Sequence, residues 1–327
     1  MSSGMSVQWG IMSTARINRK FLAGAREASG VEVVAVASRT RESAERFARE
    51  HRIERAHAGY DSLLSDPAVE AVYISLPNSL HVEWTVRALQ AGKHVLCEKP
   101  LSRRAEEVSR CFEQAERERR LLTEGFMYRH HPQTHRLVEL VRSGAIGALR
   151  LVRASFSFEL PEPRNVRLSR ALEGGALMDV GCYCVSGTRL LAGEPRRVTA
   201  QQALGGDGVD IAFAATMLCQ GEVLAHFDAG MSFAARDELE VVGEHGSLFL
   251  DDPWHCVEPV IELRRDGRSE RIEVERVNPY RREAENLSAA IRGEAPLLLG
   301  REDALGQARA IEALYAAAET GQAVTPA

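Results

Sequence analysis

The first 125 residues alternate short apolar runs with segments of helical periodicity, and this alternation constrains the fold more than any other feature. Strand-like runs lie at 7–11 and 31–37, with an amphipathic helical segment at 15–29 between them. Further strand-like runs follow at 69–76, 94–97 and 121–125, again separated by helical patterns. Strands that alternate with helices in this way predict a doubly wound parallel sheet.

The pattern changes after residue 126. Helices are predicted over 132–143 and 174–191, and a strand begins near residue 149. Several strand patterns then follow without intervening helices, at 197–203, 209–219, 222–231, 238–242, 247–250 and 260–264. Two closing helices are predicted at 281–292 and 301–320. Consecutive strands joined by short turns predict an α+β domain with an open, largely antiparallel sheet over 126–327.

Charge and cysteine content narrow the class of protein. Lys and Arg total 41 against 46 Asp and Glu, a net charge of −5, whereas a nucleic-acid binder normally carries a basic excess. No apolar run approaches the roughly 18 residues of a membrane span, and the first ten residues lack the basic and apolar regions of a signal peptide. The six scattered cysteines form no Cys-x-x-Cys pair. We therefore expect a cytoplasmic protein with reduced thiols and neither nucleic-acid nor membrane partners.

The segment Gly10-Ile-Met-Ser-Thr-Ala15 lies between the first strand and the first helix. A dinucleotide fold needs a tight turn here, with helix N-terminal amides facing a pyrophosphate. Gly10 and Ala15 fit the first and third positions of G-x-G-x-x-G/A, but Met12 occupies the second. Ser13 and Thr14 offer further phosphate donors. We predict a phosphate-binding loop and a Rossmann domain over 1–125; the alternative is an ordinary strand–turn–helix that carries one glycine.

The second strand ends at Ser38 and Arg39. A carboxylate at this position holds the ribose 2′-hydroxyl of NAD, whereas an arginine accommodates the 2′-phosphate of NADP. The pair therefore predicts a preference for NADP, with NAD possible. The alternative is a surface arginine at the start of a helix.

Two polar segments follow later strands of the same sheet. Leu76-Pro77-Asn78, with His81 three residues on, follows one strand, and Glu98-Lys99-Pro100 follows the next. Open α/β sheets bind ligands beyond the carboxyl ends of their strands. A lysine directed into such a crevice can stabilise a developing alkoxide. The alternatives are a Pro-Asn turn and a solvated Glu-Lys-Pro turn.

The predicted helix over 174–191 carries Asp179 within an apolar stretch and Tyr183 four residues later, on the same helical face. An unpaired carboxylate there would cost several kcal/mol, so Asp179 needs a partner. A tyrosine near a lysine is a suitable proton donor. The alternative is a buried structural Asp–Tyr pair.

Three histidines lie close together in the sequence, at His130, His131 and His135. Their spacing is not that of metal ligands, so we predict no metal site.

Together these segments resemble the glucose-fructose oxidoreductase/inositol dehydrogenase (Gfo/Idh/MocA) family over nearly the whole chain. The segments that carry the resemblance are Gly10–Ala15, Leu76-Pro-Asn with His81, Glu98-Lys99-Pro100, Phe126-Met-Tyr-Arg-His-His-Pro-Gln133, Asn165-Val-Arg-Leu168 and Gly174 to Tyr183. The variants at 126–133 and at Tyr183 are most similar to the branch of dihydrodiol dehydrogenases, D-xylose dehydrogenases and ketosugar reductases.

The resemblance implies roles for individual residues. Lys99 matches the catalytic lysine of the family, Tyr183 the residue that exchanges the substrate proton, and Asp179 the carboxylate upstream of it. Arg167 and Tyr280 match residues that contact cofactor in some relatives. The full set of predicted cofactor-binding residues is Gly10, Met12, Ser13, Thr14, Ala15, Ser38, Arg39, Leu76, Pro77, Asn78, His81, Glu98, Lys99, Arg167 and Tyr280. The resemblance also implies a homo-oligomer, either a dimer or a tetramer.

We therefore predict an NADP-dependent oxidoreductase that transfers a hydride between nicotinamide and a hydroxyl or keto carbon of a sugar or similar polyol. Substrate specificity is expected in the loop 159–170 and on the sheet of the second domain. Two alternatives stay open: a dihydrodiol or inositol dehydrogenase, and an inactive NADP(H)-sensing binding protein. The intact set of Lys99, Asp179 and Tyr183 argues against the sensor, which has no need of proton transfer.

Overall fold

The computed structural model describes residues 6–162 and 164–327. The first five residues, which belong to the segment without signal-peptide features, lie outside the described residues, as does Pro163 in the loop where specificity is expected.

The chain divides into two compact units. The first takes the residues up to Ser102 together with Glu106–His130 and Asn278–Ala304, and the second takes Arg103–Ala105, His131–Val277 and Leu305–Ala327. The sequence predicted a single boundary after residue 125. The observed division differs from it chiefly because the segment Asn278–Ala304 belongs to the first unit. Trp9 Nε1 donates to Ser288 Oγ at 3.1 Å, which ties the returning helix to the first strand. Hydrophobic periodicity predicts an element but not the sheet on which it packs.

The first unit is built on a six-stranded sheet whose order is β3-β2-β1-β4-β5-β6. All five strand pairings are parallel. The strands are β1 (Val7–Met12), β2 (Val31–Ser38), β3 (Arg55–Ala58), β4 (Ala71–Ile74), β5 (His94–Glu98) and β6 (Leu122–Gly125). The helices are α1 (Ile17–Glu27), α2 (Arg41–His51), α3 (Tyr60–Leu64), α4 (His81–Gln90), α5 (Ala105–Glu118) and the returning α8 (Pro279–Ile291). This strand order is that of a dinucleotide-binding sheet.

The second unit contains an eight-stranded sheet of order β14-β13-β12-β11-β7-β10-β9-β8. Strands β10 and β7 pair in parallel and the other neighbours are antiparallel. The strands are β7 (Leu149–Glu159), β8 (Pro195–Leu204), β9 (Asp210–Cys219), β10 (Leu224–Gly230), β11 (Ser232–Gly243), β12 (Gly246–Leu250), β13 (Val260–Arg265) and β14 (Arg268–Glu273). Its helices are α6 (Pro132–Arg142), α7 (Cys182–Ala192) and most of α9 (Arg301–Thr320). The predicted fold class is confirmed in both units.

Three elements were missing from the prediction. Strand β3 and helix α3 fill 55–64, and β14 follows β13. Both β3 and β14 are edge strands, and their side chains are largely half-exposed or exposed. An edge strand buries little of either face, so it shows no apolar alternation that would predict it.

The helix predicted over 174–191 begins later than expected and in a different form. Residues Leu177–Gly181 form a π-helical turn, and the α-helix α7 runs from Cys182 to Ala192. Single π-helical turns inside helices often mark functional sites.

No helix in the described part of the chain is long and apolar enough to cross a membrane. All six cysteines lie within the described residues, where each is buried and none forms a disulfide.

Candidate active site

The loop between β1 and α1 turns at Ser13, whose φ is 126°. Met12, at the second glycine position of the sequence pattern, is the last residue of β1 and is fully buried, and the positive φ that favours glycine falls on the next residue, Ser13. Hydrogen bonds hold Ser13 in place: Asn18 Nδ2 donates to its carbonyl at 2.9 Å, and its hydroxyl lies 2.8 Å from Ser75 Oγ. The Ser13 hydroxyl also accepts from the Ala15 amide at 3.1 Å.

This loop fits the pyrophosphate of a dinucleotide. Gly10 lies in β1 against α3, where a Cβ would come 2.9 Å from Leu63 Cδ1. The first turn of α1 contains no acidic residue. Helix N-terminal amides without nearby carboxylates favour an anion. Thr14 and Ala15 are half-exposed, so the turn is accessible from solvent.

The carboxyl end of β2 presents a cation and no carboxylate. Ser38 is buried, and its carbonyl accepts from the Gly59 amide at 2.8 Å. Arg39 is exposed. Burial raises the pKa of the Tyr60 hydroxyl, and the positive charge of Arg39 opposes this shift. The Arg39 guanidinium is therefore near enough to the Tyr60 side chain to interact with it electrostatically. An exposed guanidinium here fits a 2′-phosphate.

His81 is only 1% exposed and connects the loops that follow β4 and β5. Its Nδ1 lies 2.9 Å from the Pro100 carbonyl oxygen and its Nε2 lies 2.9 Å from the Leu76 carbonyl oxygen. Burial lowers the pKa of His81. Both ring nitrogens face backbone, so the ring holds the two predicted loops together and does not present a nitrogen to a ligand. This differs from the direct cofactor contact expected of His81.

Lys99 follows β5 and is half-exposed. The backbone on either side of it is anchored by buried side chains. The Tyr73 hydroxyl donates to the Glu98 carboxylate, and Glu124 Oε1 accepts from the Leu101 amide at 2.7 Å. His81 also contacts the Pro100 carbonyl. These contacts restrict the backbone conformation of the segment, so the position of Lys99 is well defined.

Tyr280 is buried in the first turn of α8, where a carboxylate cluster surrounds it. Burial raises the pKa of its hydroxyl, and the carboxylates of Glu98 and Glu283 add to the shift. The cofactor contact implied for Tyr280 stays a prediction. Glu98, the last residue of β5, is half-exposed.

The predicted acid–base residues of the second unit lie at the junction of the π-helical turn and α7. Asp179 is in the turn and Tyr183 is in the first turn of α7. Asp179 Oδ2 accepts from Arg167 Nε at 2.5 Å, so the ion pair supplies the partner that a carboxylate in an apolar stretch requires. Arg167, assigned to the cofactor by resemblance, is thus engaged with Asp179. Asn165 accepts from the Arg167 amide at 3.1 Å and fixes the turn that carries it.

Aromatic side chains fix the ring of Tyr183. Its centroid lies 5.4 Å from that of Phe156 in an edge-on contact and 6.1 Å from that of Trp254. Phe156 projects from β7, and Trp254 is fully buried after β12. These ring contacts restrict the orientation of the phenol.

Asp210, at the start of β9, fixes the beginning of the π-helical turn. Its Oδ2 accepts from the Leu177 amide at 2.6 Å and its Oδ1 accepts from the Tyr315 hydroxyl at 3.0 Å. Gly175 has a φ of +128°, and a Cβ there would lie 2.2 Å from Asp210 Oδ1. Asp210 was not among the residues predicted from the sequence. The sequence feature that could have identified Asp210 is a carboxylate at the end of a predicted strand whose other residues are mostly apolar.

The buried carboxyl of Asp210 makes stability depend on pH. Burial raises its pKa from 3.8 to about 6. A folded-state pKa above the unfolded value means that the stabilisation is full below about pH 4 and is lost as pH rises to about 6. The wild-type protein should lose about 3 kcal/mol across this interval from Asp210, and Asp210→Asn should not.

Urea unfolding of both proteins at pH 4 and pH 7 measures this difference. The exposed Asp266→Asn, at the turn between β13 and β14, is the control and should follow the wild type. If Asp210→Asn shows the same pH dependence as the wild type, Asp210 is not the titrating group.

Comparison with known families agrees with both units. The model described as "Oxidoreductase family, NAD-binding Rossmann fold" matches residues 7–126, and that of the "GFO/IDH/MocA C-terminal domain" matches residues 134–249. The fold and the matched domains thus define an oxidoreductase with a nicotinamide-dinucleotide-binding domain. The chain belongs to the Gfo/Idh/MocA family.

Individual relatives match over nearly the full length. An uncharacterized oxidoreductase of Rhizobium meliloti is 38% identical, covering 96% of this chain and 98% of the relative. D-xylose 1-dehydrogenase (NADP(+)) 2 of Haloferax volcanii is 38% identical, covering 97% and 99%. The structure of KijD10, a 3-ketoreductase from Actinomadura kijaniata in complex with NADP and TDP-benzene, is 31% identical with a TM-score of 0.89, covering 95% and 98%. The family and the branch predicted from the motifs are confirmed.

Proposed function

We propose that this oxidoreductase uses NADP and transfers a hydride between nicotinamide and the CH–OH or keto carbon of a sugar or similar polyol. The observation that carries the proposal is the pair of Asp179 and Tyr183 on one helix, with the carboxylate matched by Arg167 and the phenol held by aromatic rings. The D-xylose dehydrogenase and the 3-ketoreductase, whose names report sugar chemistry or NADP, support the substrate class and the cofactor.

The β1–α1 loop with Ser13, Thr14 and Ala15 would hold the pyrophosphate, and Arg39 the 2′-phosphate. When bound, the nicotinamide supplies the acceptor or donor of the hydride. The segments at Leu76–Asn78 and Glu98–Lys99, joined by His81, would form the floor for the rest of the cofactor.

In the oxidative direction, Tyr183 acts as the tyrosinate, which the positive charge of Lys99 favours, and takes the proton of the reacting hydroxyl to become a neutral phenol. The Lys99 ammonium also stabilises the alkoxide as it develops. Reduction reverses both steps. Asp179, whose charge is balanced by Arg167, orients the substrate or the phenol and is not required to exchange the proton. A sensor that had lost catalysis would have no use for this arrangement.

Arg39→Asp should weaken NADPH binding about 10- to 100-fold and NADH binding by much less, because an ionic hydrogen bond to phosphate contributes about 1.5–3 kcal/mol and NADH has no 2′-phosphate. Titration of protein fluorescence with each cofactor measures both affinities. Arg46→Asp, on the exposed face of α2, is the matched control for the change in net charge. Equal losses for the two cofactors would reject the role of Arg39.

The proposed function is tested by initial rates of NADP⁺ reduction with D-xylose, D-glucose, myo-inositol and trans-1,2-cyclohexanediol. Turnover of at least one of the four is expected, with a lower KM for NADP⁺ than for NAD⁺. Tight NADPH binding without turnover of any probe would favour the sensor. Cytoplasmic location and a homo-oligomeric state stay predictions.

A further inference from the structure

A histidine–carboxylate pair in the second unit has no part in the mechanism above. Asp237 lies in β11 and His255 in the segment after β12, and Asp237 Oδ2 is 2.5 Å from His255 Nδ1. Asp237 pairs in register with Phe156 of β7, so both side chains project from the same sheet face. The next residues of that parity in β11 are Leu239 and Val241, both buried. A carboxylate at an inward position of this strand is the signal that the sequence analysis missed.

The pair has a defined proton arrangement. An ionised carboxylate only accepts hydrogen bonds, so the contact places a proton on His255 Nδ1. The other oxygen of Asp237 accepts from the Trp254 amide at 3.3 Å. His255 Nε2 makes no hydrogen bond within the described residues, and the side chain is 41% exposed. The ring therefore presents Nε2 outward as an acceptor of fixed direction when the imidazole is neutral.

A metal does not explain the pair. Asp252 lies close enough to Asp237 and His255 to complete a three-residue cluster. Its carboxylate, however, accepts from four successive backbone amides, those of His255, Cys256, Val257 and Glu258. Asp252 is thus the cap of this loop. The remaining two ligand atoms are fewer than the three protein ligands of an ordinary catalytic metal site.

The position of His255 relates it to Tyr183. The His255 ring meets Phe156 edge-on at 5.3 Å, and the same Phe156 ring meets Tyr183 at 5.4 Å. Trp254, the neighbour of His255 in the chain, also contacts Tyr183. Two polar groups thus flank one apolar ring in a single unit of the protein. Sites for small ligands have this composition, an apolar surface with a few fixed polar atoms that set orientation.

We propose that His255, held by Asp237, is a specificity-determining residue that accepts a hydrogen bond from a substrate hydroxyl remote from the reacting carbon. The proposal rests on the proposed polyol oxidoreductase function and adds a second anchoring point to it. A substrate held at Tyr183 and at His255 is oriented by two hydroxyl groups. A substrate without the remote hydroxyl leaves His255 Nε2 unmatched and binds less well.

The test compares KM, kcat and NADP⁺ affinity of the full-length wild type with those of His255→Phe, which keeps an aromatic ring against Phe156 but has no ring nitrogen. The probes are D-xylose, D-glucose, myo-inositol and trans-1,2-cyclohexanediol. For a polyol that the wild type oxidises, KM should rise about 10-fold, with kcat and NADP⁺ affinity changed less than about 3-fold. Asp237→Asn should raise KM in the same direction, because an amide can pair with either tautomer and no longer fixes the proton on Nδ1.

A second test variant, His255→Asn, is compared with His226→Asn as its matched control. His226 is exposed on β10, where its register partner is Arg153, on the opposite sheet face from Phe156. His255→Asn should raise KM as His255→Phe does, and His226→Asn should not change it. An active wild type whose KM is unchanged by either His255 substitution would overturn the assignment. A wild type inactive with all four probes would contradict the proposed function itself, and the role of His255 with it.

Discussion

Tyr183→Phe is expected to lower turnover about 10²- to 10⁴-fold, the contribution of a positioned general acid or base. The substitution removes only the hydroxyl oxygen. The ring contacts with Phe156 and Trp254, at 5.4 and 6.1 Å, do not involve that oxygen, so the phenyl ring should keep them in the variant. NADPH affinity should therefore stay within a factor of about 2, since the proton-transfer group is separate from the phosphate-binding loop.

Rates of NADP⁺ reduction under saturating conditions and NADPH fluorescence titration together measure this separation. Tyr315→Phe is the control, because it removes another buried hydroxyl from the same unit while the Asp210 bond to the Leu177 amide remains. We expect the control to keep most of its turnover. Full activity of Tyr183→Phe would reject Tyr183 as the proton-exchanging residue, and equal losses in the two variants would point to helix distortion.

Lys99→Met is expected to lower turnover about 10²- to 10³-fold, as loss of one preorganised donor to a developing oxyanion does. Methionine keeps much of the length of the side chain and removes the charge. Anchoring of Glu98 by Tyr73 and of Leu101 by Glu124 should keep the loop in place, so cofactor affinity should change less than turnover.

The lysine content of the chain supports a specific role for Lys99. The sequence has three lysines, Lys20, Lys93 and Lys99, in a protein whose cations are otherwise arginines. Lys93 has a structural role, since its ammonium donates to the carbonyls of Asp66 and Val69 at 2.8 and 2.7 Å. Lys99→Arg retains the charge but replaces a compact ammonium by a planar fork, so it should also be impaired. Lys20→Met, on the surface of α1, should be fully active; if Lys99→Met were too, Lys99 would have no catalytic role.

The alternation of strands and helices was sufficient to predict the first sheet, because each buried strand of a parallel sheet is a continuous apolar run. It could not reveal β3, whose residues are half-buried or exposed, or the return of α8 to the first unit. Packing partners distant in sequence, such as Trp9 and Ser288, leave no periodic signal.

The candidate site likewise contains residues that the sequence pattern could identify and residues that it could not. Lys99, Asp179 and Tyr183 stood out because polar residues follow strands or interrupt an apolar helix. The residues that position them did not. His81 was expected to touch cofactor, yet its ring nitrogens face two backbone carbonyls. Ser13 has the glycine-like φ and is held by Asn18 and Ser75, which lie far from one another in the sequence.

The most direct test of the account follows a deuterium atom from cofactor to product. NADPH carrying deuterium at C4 on the transferred face is incubated with the ketone or lactone that forms on oxidation of whichever of the four probes is a substrate, and the reduced product is analysed by mass spectrometry and NMR. One deuterium per product molecule is expected, bonded to the carbon that was reduced, and the rate should be about 10²- to 10⁴-fold lower in Tyr183→Phe. Product without deuterium at that carbon would contradict hydride transfer from the nicotinamide and, with it, the proposed function.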